Sequence, residues 1–176
     1  MQEKMFLFTY IVKTMQKATI RDLQKSDLEL RVQLLNDPAV REYLNVEEIF
    51  NIEDTTKWFL NIDKSNRFDC VFEIDGTPIG MGGLSNLCDG RGELYMYINP
   101  FFQGKGYGYL SLEALCNYGF NELGLSQIYL YTFSDNLRAN NLYEKGGFIR
   151  DKNYFQTKNH NGLELGRYKF LKNKPK

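Results

Sequence analysis

Three glycines at alternate positions, Gly104, Gly106 and Gly108, stand in the run QGKGYG just before a stretch of helical character. Glycine adopts positive φ freely and has no Cβ to block close approach, so several backbone N–H groups can converge on one point. A helix opening at about Gly108 adds partial positive charge at the same place. The pattern suits a phosphate or pyrophosphate; the competing reading is a flexible connection, because glycine commonly marks turns. Spacing excludes two familiar phosphate loops. A P-loop needs G-x-x-x-x-G-K-[ST], but Lys105 is followed by Gly106, and Asn99 stands five positions before Gly104. A dinucleotide fingerprint needs G-x-G-x-x-G, and here Tyr109 occupies the place of the third glycine.

Such a loop needs a strand to deliver it and a helix to receive it. The alternating run GELYMYI (Gly92 to Ile98) supplies the strand, and the stretch to about Leu123 supplies the helix. Upstream, KATIRDL reads as a first strand. KSDLELRVQLLND reads as a helix with Ser26 as N-cap and Leu28, Val32 and Leu35 on one face, interrupted by Pro38. A second helical region is expected from about Val40 to Ile62, broken near Asn51, with Trp58 and Phe59 turned to the core. FDCVFEIDGTPIGMGGLSNL reads as two strands about the turn DGTP. After the glycine run and its helix come the strand SQIYLYTF, a helix over LRANNLYEKGG, and two final strands joined at NHNG. This order predicts a mixed α/β (α+β) domain with one central sheet flanked by helices.

Lys plus Arg and Asp plus Glu both number 22, so no overall field draws the chain to nucleic acid or to a membrane. The 176 residues fit one domain. Cys70, Cys88 and Cys116 are odd in number and lack C-x-x-C spacing, which argues against a disulfide framework and a zinc site. Free, reduced, buried thiols in a cytoplasmic protein without a metal are expected. The apolar run Met5 to Val12 is far shorter than the ~20 residues that span a bilayer. It also lacks the cleavage site of a secretory signal. Residues 1–15 are therefore expected to be an extension, and residues 16–176 the domain.

A second stretch, DNLRANNLYEKGGF from Asp135 to Phe148, follows a strand and makes the glycine run specific. Q-x-x-G-x-G over Gln103 to Gly108 and N-x-x-A-x-x-L-Y-x-x-x-G-F over Asn136 to Phe148 together resemble the GNAT superfamily of acetyl-CoA-dependent N-acetyltransferases. The element order from about Lys17 to Phe170 resembles it too, most closely the branch of ribosomal-protein N-terminal and spermidine acetyltransferases. The resemblance implies a mostly antiparallel sheet whose splayed strand pair forms an acetyl-CoA cleft. It implies that Gln103, Gly104, Lys105, Gly106, Tyr107 and Gly108 wrap the CoA pyrophosphate, and that backbone groups around Met96, Tyr97 and Ile98 pair with pantetheine. It also implies that Asn136 reaches the pantetheine arm and that Tyr143 lies beside the thioester sulfur. On the sequence alone, Tyr143 is also readable as an ordinary helix aromatic packed on the core.

An amine attacks a thioester only when neutral, and a free alkyl amine has a pKa near ~10. A base or a water path must therefore take a proton. Glu93, on GELYMYI, is the candidate base, acting through water; the alternative is a strand-end carboxylate facing solvent. Tyr143 is the candidate acid for the leaving thiolate, because phenol and thiol pKa values lie within ~2 units. Transfer is expected to be direct, with no acyl-enzyme. Cys116 is expected in the core and His160 in a solvated turn.

In this superfamily the acceptor side is built largely after the first strand and by the final strands. Residues 22–75 hold thirteen acids against six bases. That excess favours a cationic primary amine: a peptide or protein N-terminus, a polyamine such as spermidine, or an aminoglycoside; the alternative is that most of these carboxylates lie on solvated helix faces. Two rivals are a CoA-binding regulatory module without chemistry and a small nucleotide-binding protein. The presence of both Tyr143 and Glu93 opposes the first, and the missing P-loop Ser/Thr opposes the second. Monomer and homodimer fit the sequence equally.

Overall fold

The computed structural model describes residues 17–44, 48–160 and 162–175; the extension expected over residues 1–15 lies outside them. The strands are β1 (Thr19–Asp22), β2 (Phe68–Ile74), β3 (Thr77–Cys88), β4 (Arg91–Ile98), β5 (Gln127–Phe133), β6 (Ile149–Arg150), β7 (Gln156–His160) and β8 (Leu163–Asn173). The helices are α1 (Leu28–Asn36), α2 (Pro38–Arg41), α3 (Ile52–Leu60), α4 (Tyr107–Asn121) and α5 (Leu137–Lys145). One mixed sheet runs in the order β1-β2-β3-β4-β5-β8-β6, with β7 paired to β8. Every pairing is antiparallel except that of β4 with β5.

Period-two alternation divides β4 between two cores. Leu94, Met96 and Ile98 face a cluster that includes Leu112 and Leu115 of α4 and Tyr143 of α5. Tyr95 and Tyr97 face a second cluster with Leu28, Leu34 and Leu35 of α1 and Val40 of α2. The sheet is therefore covered on one face by α4 and α5 and on the other by α1 to α3. Trp58 and Phe59 pack on the second cluster. Trp58 lies between two guanidinium groups, with Arg31 at 4.2 Å and Arg67 at 5.1 Å from its ring centroid.

Cys70 and Cys116 are buried as expected but Cys88, at the end of β3, is exposed, and three further local expectations are corrected. The helical region expected over 40–62 does break at Asn51, which caps α3 by accepting from the Asp54 N–H, but its first half ends with α2 at Arg41, and Glu42 to Leu44 and Glu48 to Phe50 are irregular. Asn36 fastens this irregular run by exchanging two hydrogen bonds with the Phe50 backbone. Ser26 does not cap α1: it lies inside a 3₁₀ turn, Lys25–Asp27, and the Asp27 carboxylate instead accepts from the Gln24 N–H. The two-residue β6, absent from the sequence reading, adds an edge strand against β8.

Candidate active site

β4 and β5 run parallel for only three residue pairs, from Arg91 opposite Gln127 to Glu93 opposite Tyr129. From Leu94 onward β4 has no strand partner on that side, and the two strands part. The gap opens into a cleft of about 820 Å³ walled by β4, β5, the glycine run, α5, Ala39 and Val40 of α2, and Glu42 to Leu44 just after it. Of the residues singled out in the sequence, Glu93, Met96, Tyr97, Ile98, Gln103, Gly104, Gly106, Gly108, Asn136 and Tyr143 all border it. Lys105 and Tyr107 do not: the Lys105 ammonium lies 4.7 Å from the Phe101 ring centroid, and the Tyr107 side chain packs against the core.

Beyond β4, Asn99 accepts from the Phe101 N–H and starts a 3₁₀ turn at Pro100–Phe102. Gly104 and Gly106 then take φ of +74° and +85°, and nothing lies within 4 Å of where a Cβ would stand on either. Gly106 is the N-cap of α4 and offers no side-chain acceptor, so the first N–H groups of a 15-residue helix lack a side-chain cap. Open space, left-handed backbone and uncapped donors together make a cradle that fits an anion.

Asn136 caps α5 by accepting from the Ala139 N–H at 3.0 Å, so among the described residues its amide NH₂ keeps its donors unused. Asn140 donates to the carbonyls of Phe133 and Ser134, which holds α5 against the end of β5. That attachment places Tyr143, a full turn later, at the inner wall of the cleft. Its ring meets Phe148 and Phe170, and among the described residues its hydroxyl has no hydrogen-bond partner. Burial, with Cys116 a smaller cause, pushes its pKa up to about 12.

Glu93 ends the part of β4 that pairs with β5, and its carboxylate accepts from Asn86 at 2.8 Å. Asn86 reaches it because a register shift in β3 puts that residue in the left-handed region, at φ +52°. Substituting Gln for Glu93 is expected to depress the rate about tenfold, most strongly at low pH, where the amine depends most on assisted deprotonation. A pH–rate profile of the variant checks this, and an unaltered profile assigns the proton to other groups.

Three cations in the cleft escaped the sequence reading. Arg138, on the first turn of α5, donates to Gln103 Oε1 at 2.6 Å, while Gln103 donates to the Ile98 carbonyl at 2.8 Å. This bridge spans the cleft from α5 to β4. Lys145, seven residues after Arg138 and so on the same side of α5, lies 5.1 Å from the Tyr109 ring centroid. Arg167 of β8 lies 4.7 Å from the Tyr131 ring centroid. Arg138 and Lys145 were legible as a helical i, i+7 pair; Arg167 depends on strand register that no local pattern reveals. Among the described residues, no group of three or more His, Cys, Asp or Glu is placed to hold a metal. No described helix is long and apolar enough to cross a membrane.

A family model described as an acetyltransferase (GNAT) domain matches residues 17–149. The chain is 31% identical over 134 residues to the spermidine N(1)-acetyltransferase of Escherichia coli (strain K12), covering 73% of this chain and 71% of that protein. It is 25% identical over 139 residues to the acetyltransferase PseH of Campylobacter jejuni, covering 76% and 86%. The fold superposes on the crystal structure of spermidine N-acetyltransferase from Vibrio cholerae in complex with CoA and spermine, with a TM-score of 0.83, 24% identity, and 89% and 95% of the two chains covered. The matched family, spanning both motifs and the strands that part between them, makes this chain a member of the GNAT acetyltransferases and an acetyl-CoA-dependent N-acetyltransferase.

Proposed function

We propose that acetyl transfer takes place where β4 and β5 part, and that the acceptor is a small cationic primary amine. The observation that carries this is the gap itself: one cleft holds an anion cradle at its mouth and Tyr143 and Glu93 on opposite faces of the sheet beside its apex. When bound, acetyl-CoA supplies an activated acetyl group whose leaving atom is a thiolate. The N–H groups from Gly104 to Gly108 hold the pyrophosphate, Asn136 holds the pantetheine arm, and the unpaired edge of β4 from Met96 to Ile98 aligns it. Glu93 draws a proton from the amine through water. Tyr143 donates a hydrogen bond to the departing sulfur. At about 12 its pKa stands above that of a thiol, near ~8.5, by more than the ordinary phenol–thiol difference, so it stabilises the thiolate by donation rather than by surrendering its proton. The same elevation keeps it protonated at every working pH.

The acid excess of residues 22–75 reaches the cleft only in part. Asp27 and Glu73 pair with Arg21, Asp69 with Arg67, and Asp37 and Asp54 serve as helix-terminal acceptors or partners. Of that group Glu42 borders the cleft, joined there by Glu93 and Asp135. Glu42 and Asp135 both act on Tyr43 between them, reinforcing burial in raising its pKa. Glu42, Glu93 and Asp135 outnumber Arg167 on the acceptor side, while Arg138 and Lys145 stand on the side of the glycine run, which suits an anionic cosubstrate and a cationic acceptor. Spermidine is the first acceptor to test, because relatives in Escherichia coli and Vibrio cholerae carry that name; a peptide N-terminus is the second.

The experiment is thiol release from acetyl-CoA across a panel of amines. Cationic primary amines are expected to react best, and KM for the best of them should rise about two- to fivefold from low to physiological salt, as screening weakens the attraction. Reaction confined to neutral or anionic amines refutes the acceptor class.

A further inference from the structure

The sheet face that carries Glu93 also carries a cluster on β5 and β8 that transfer to a free amine leaves unused. Tyr129 and Tyr131 project from β5 with ring centroids 5.8 Å apart, and Tyr154 lies 5.2 Å from Tyr131. Lys169 stands opposite Tyr131 in the β5–β8 register, with its ammonium 5.1 Å from the Tyr129 centroid and 5.9 Å from that of Tyr131. Both distances fall within the range of attraction between a cation and an aromatic face. Glu93 borders the same two rings: it pairs with Tyr129 across the β4–β5 ladder, and its charge reinforces burial in raising both phenol pKa values. A primary amine is therefore already seated on the acceptor face, on the tyrosine pair that Glu93 borders and one strand from the point where β4 and β5 part.

We propose that Lys169 is a self-acetylation site, modified in cis by the acetyl-CoA held in the same chain's cleft. The proposal rests on the placement of transfer between β4 and β5 with Glu93 as base. Neighbouring strands lie ~4.8 Å apart, which puts the middle of the gap about two strand spacings from the Lys169 backbone. The flexible four-carbon stem of lysine spans more than half of that distance. Arg167, its neighbour on the same face, is excluded because a guanidinium stays charged. Lys145 borders the cleft, but on α5, across the sheet from Glu93.

The chemistry balances without another reactant. The Lys169 ammonium first loses a proton to solvent. The lone pair on Nζ forms a bond to the acetyl carbon as the carbon–sulfur bond breaks, and the electron pair stays on sulfur, which leaves as a thiolate beside the Tyr143 hydroxyl. The proton released as the amide forms passes through water to Glu93. Acetylation removes the lysine charge, and with it a cation lying on the tyrosine pair.

The test incubates the full chain with acetyl-CoA and no acceptor, and follows each lysine by mass spectrometry. Lys169 is expected to be acetylated at least about tenfold faster than the other lysines and than the same residue in heat-denatured chain, the advantage that positioning confers. The rate per chain should not depend on protein concentration. Folded Glu93→Gln should slow it about tenfold. Modification of Lys169 at the common lysine rate, a rate rising in proportion to protein concentration, or full speed in folded Glu93→Gln overturns the proposal. Turnover of the amine panel by the same preparation separates the causes. Turnover with Lys169 unmodified overturns self-acetylation alone, whereas loss of both overturns the site as well.

Discussion

Replacing Tyr143 by phenylalanine lowers kcat roughly 10²-fold and leaves acetyl-CoA binding nearly intact, the scale expected when one donor to a developing charge is lost from a buried site. The ring should stay in place, because its contacts with Phe148 and Phe170 are made by carbon atoms. The hydroxyl has no partner among the described residues, so its removal breaks no hydrogen bond of the resting fold. A fall in kcat at constant KM for acetyl-CoA is therefore diagnostic of a contact made only as sulfur departs. With the phenol pKa pushed up to about 12, the wild-type rate should show no alkaline decline assignable to Tyr143 between pH 7 and 10. Steady-state kinetics across that range check both statements; a Phe variant with wild-type kcat removes Tyr143 from the chemistry.

Gly106→Val is expected to weaken acetyl-CoA binding at least about tenfold, because a branched side chain would fill the space where backbone meets pyrophosphate. Nothing lies within 4 Å of the new Cβ, so the substitution clashes with no part of the chain. Its cost to folding is the strain of a branched residue at φ +85°, about 1–3 kcal/mol, which a domain with two cores can absorb. Calorimetric titration with acetyl-CoA, together with circular dichroism, separates the outcomes. A folded variant with unchanged affinity would remove the glycine run from the binding site.

The parts of this site that were legible in the sequence are those governed by local rules. GELYMYI alternates at the strand period, glycines mark the turn, and Asn136 and Gly146 bracket α5 with ordinary capping chemistry. What was not legible depends on residues far apart in the chain. The break expected near Asn51 is there, but the helix expected before it stops at Arg41, and Asn36 holds Phe50 by hydrogen bonds that apolar spacing between 40 and 50 cannot report. The Gln103–Arg138 bridge joins residues 35 apart, and Asn86 meets Glu93 only through an irregular β3. The placement of the acid excess over residues 22–75 was not legible either: a tally of charge says nothing about which carboxylates are already paired, and Asp27, Asp69 and Glu73 are.

Amide hydrogen exchange with and without acetyl-CoA tests most directly whether transfer takes place where β4 and β5 part. β4 from Leu94 to Ile98 lacks a strand partner on its β5 side, and the N–H groups at the start of α4 lack a side-chain cap. Binding of acetyl-CoA should slow exchange in both places, in residues 94–98 and 104–108, while β2 and β3, already paired on both sides, change little. Tight binding that leaves both segments exchanging at their free rates would contradict the account.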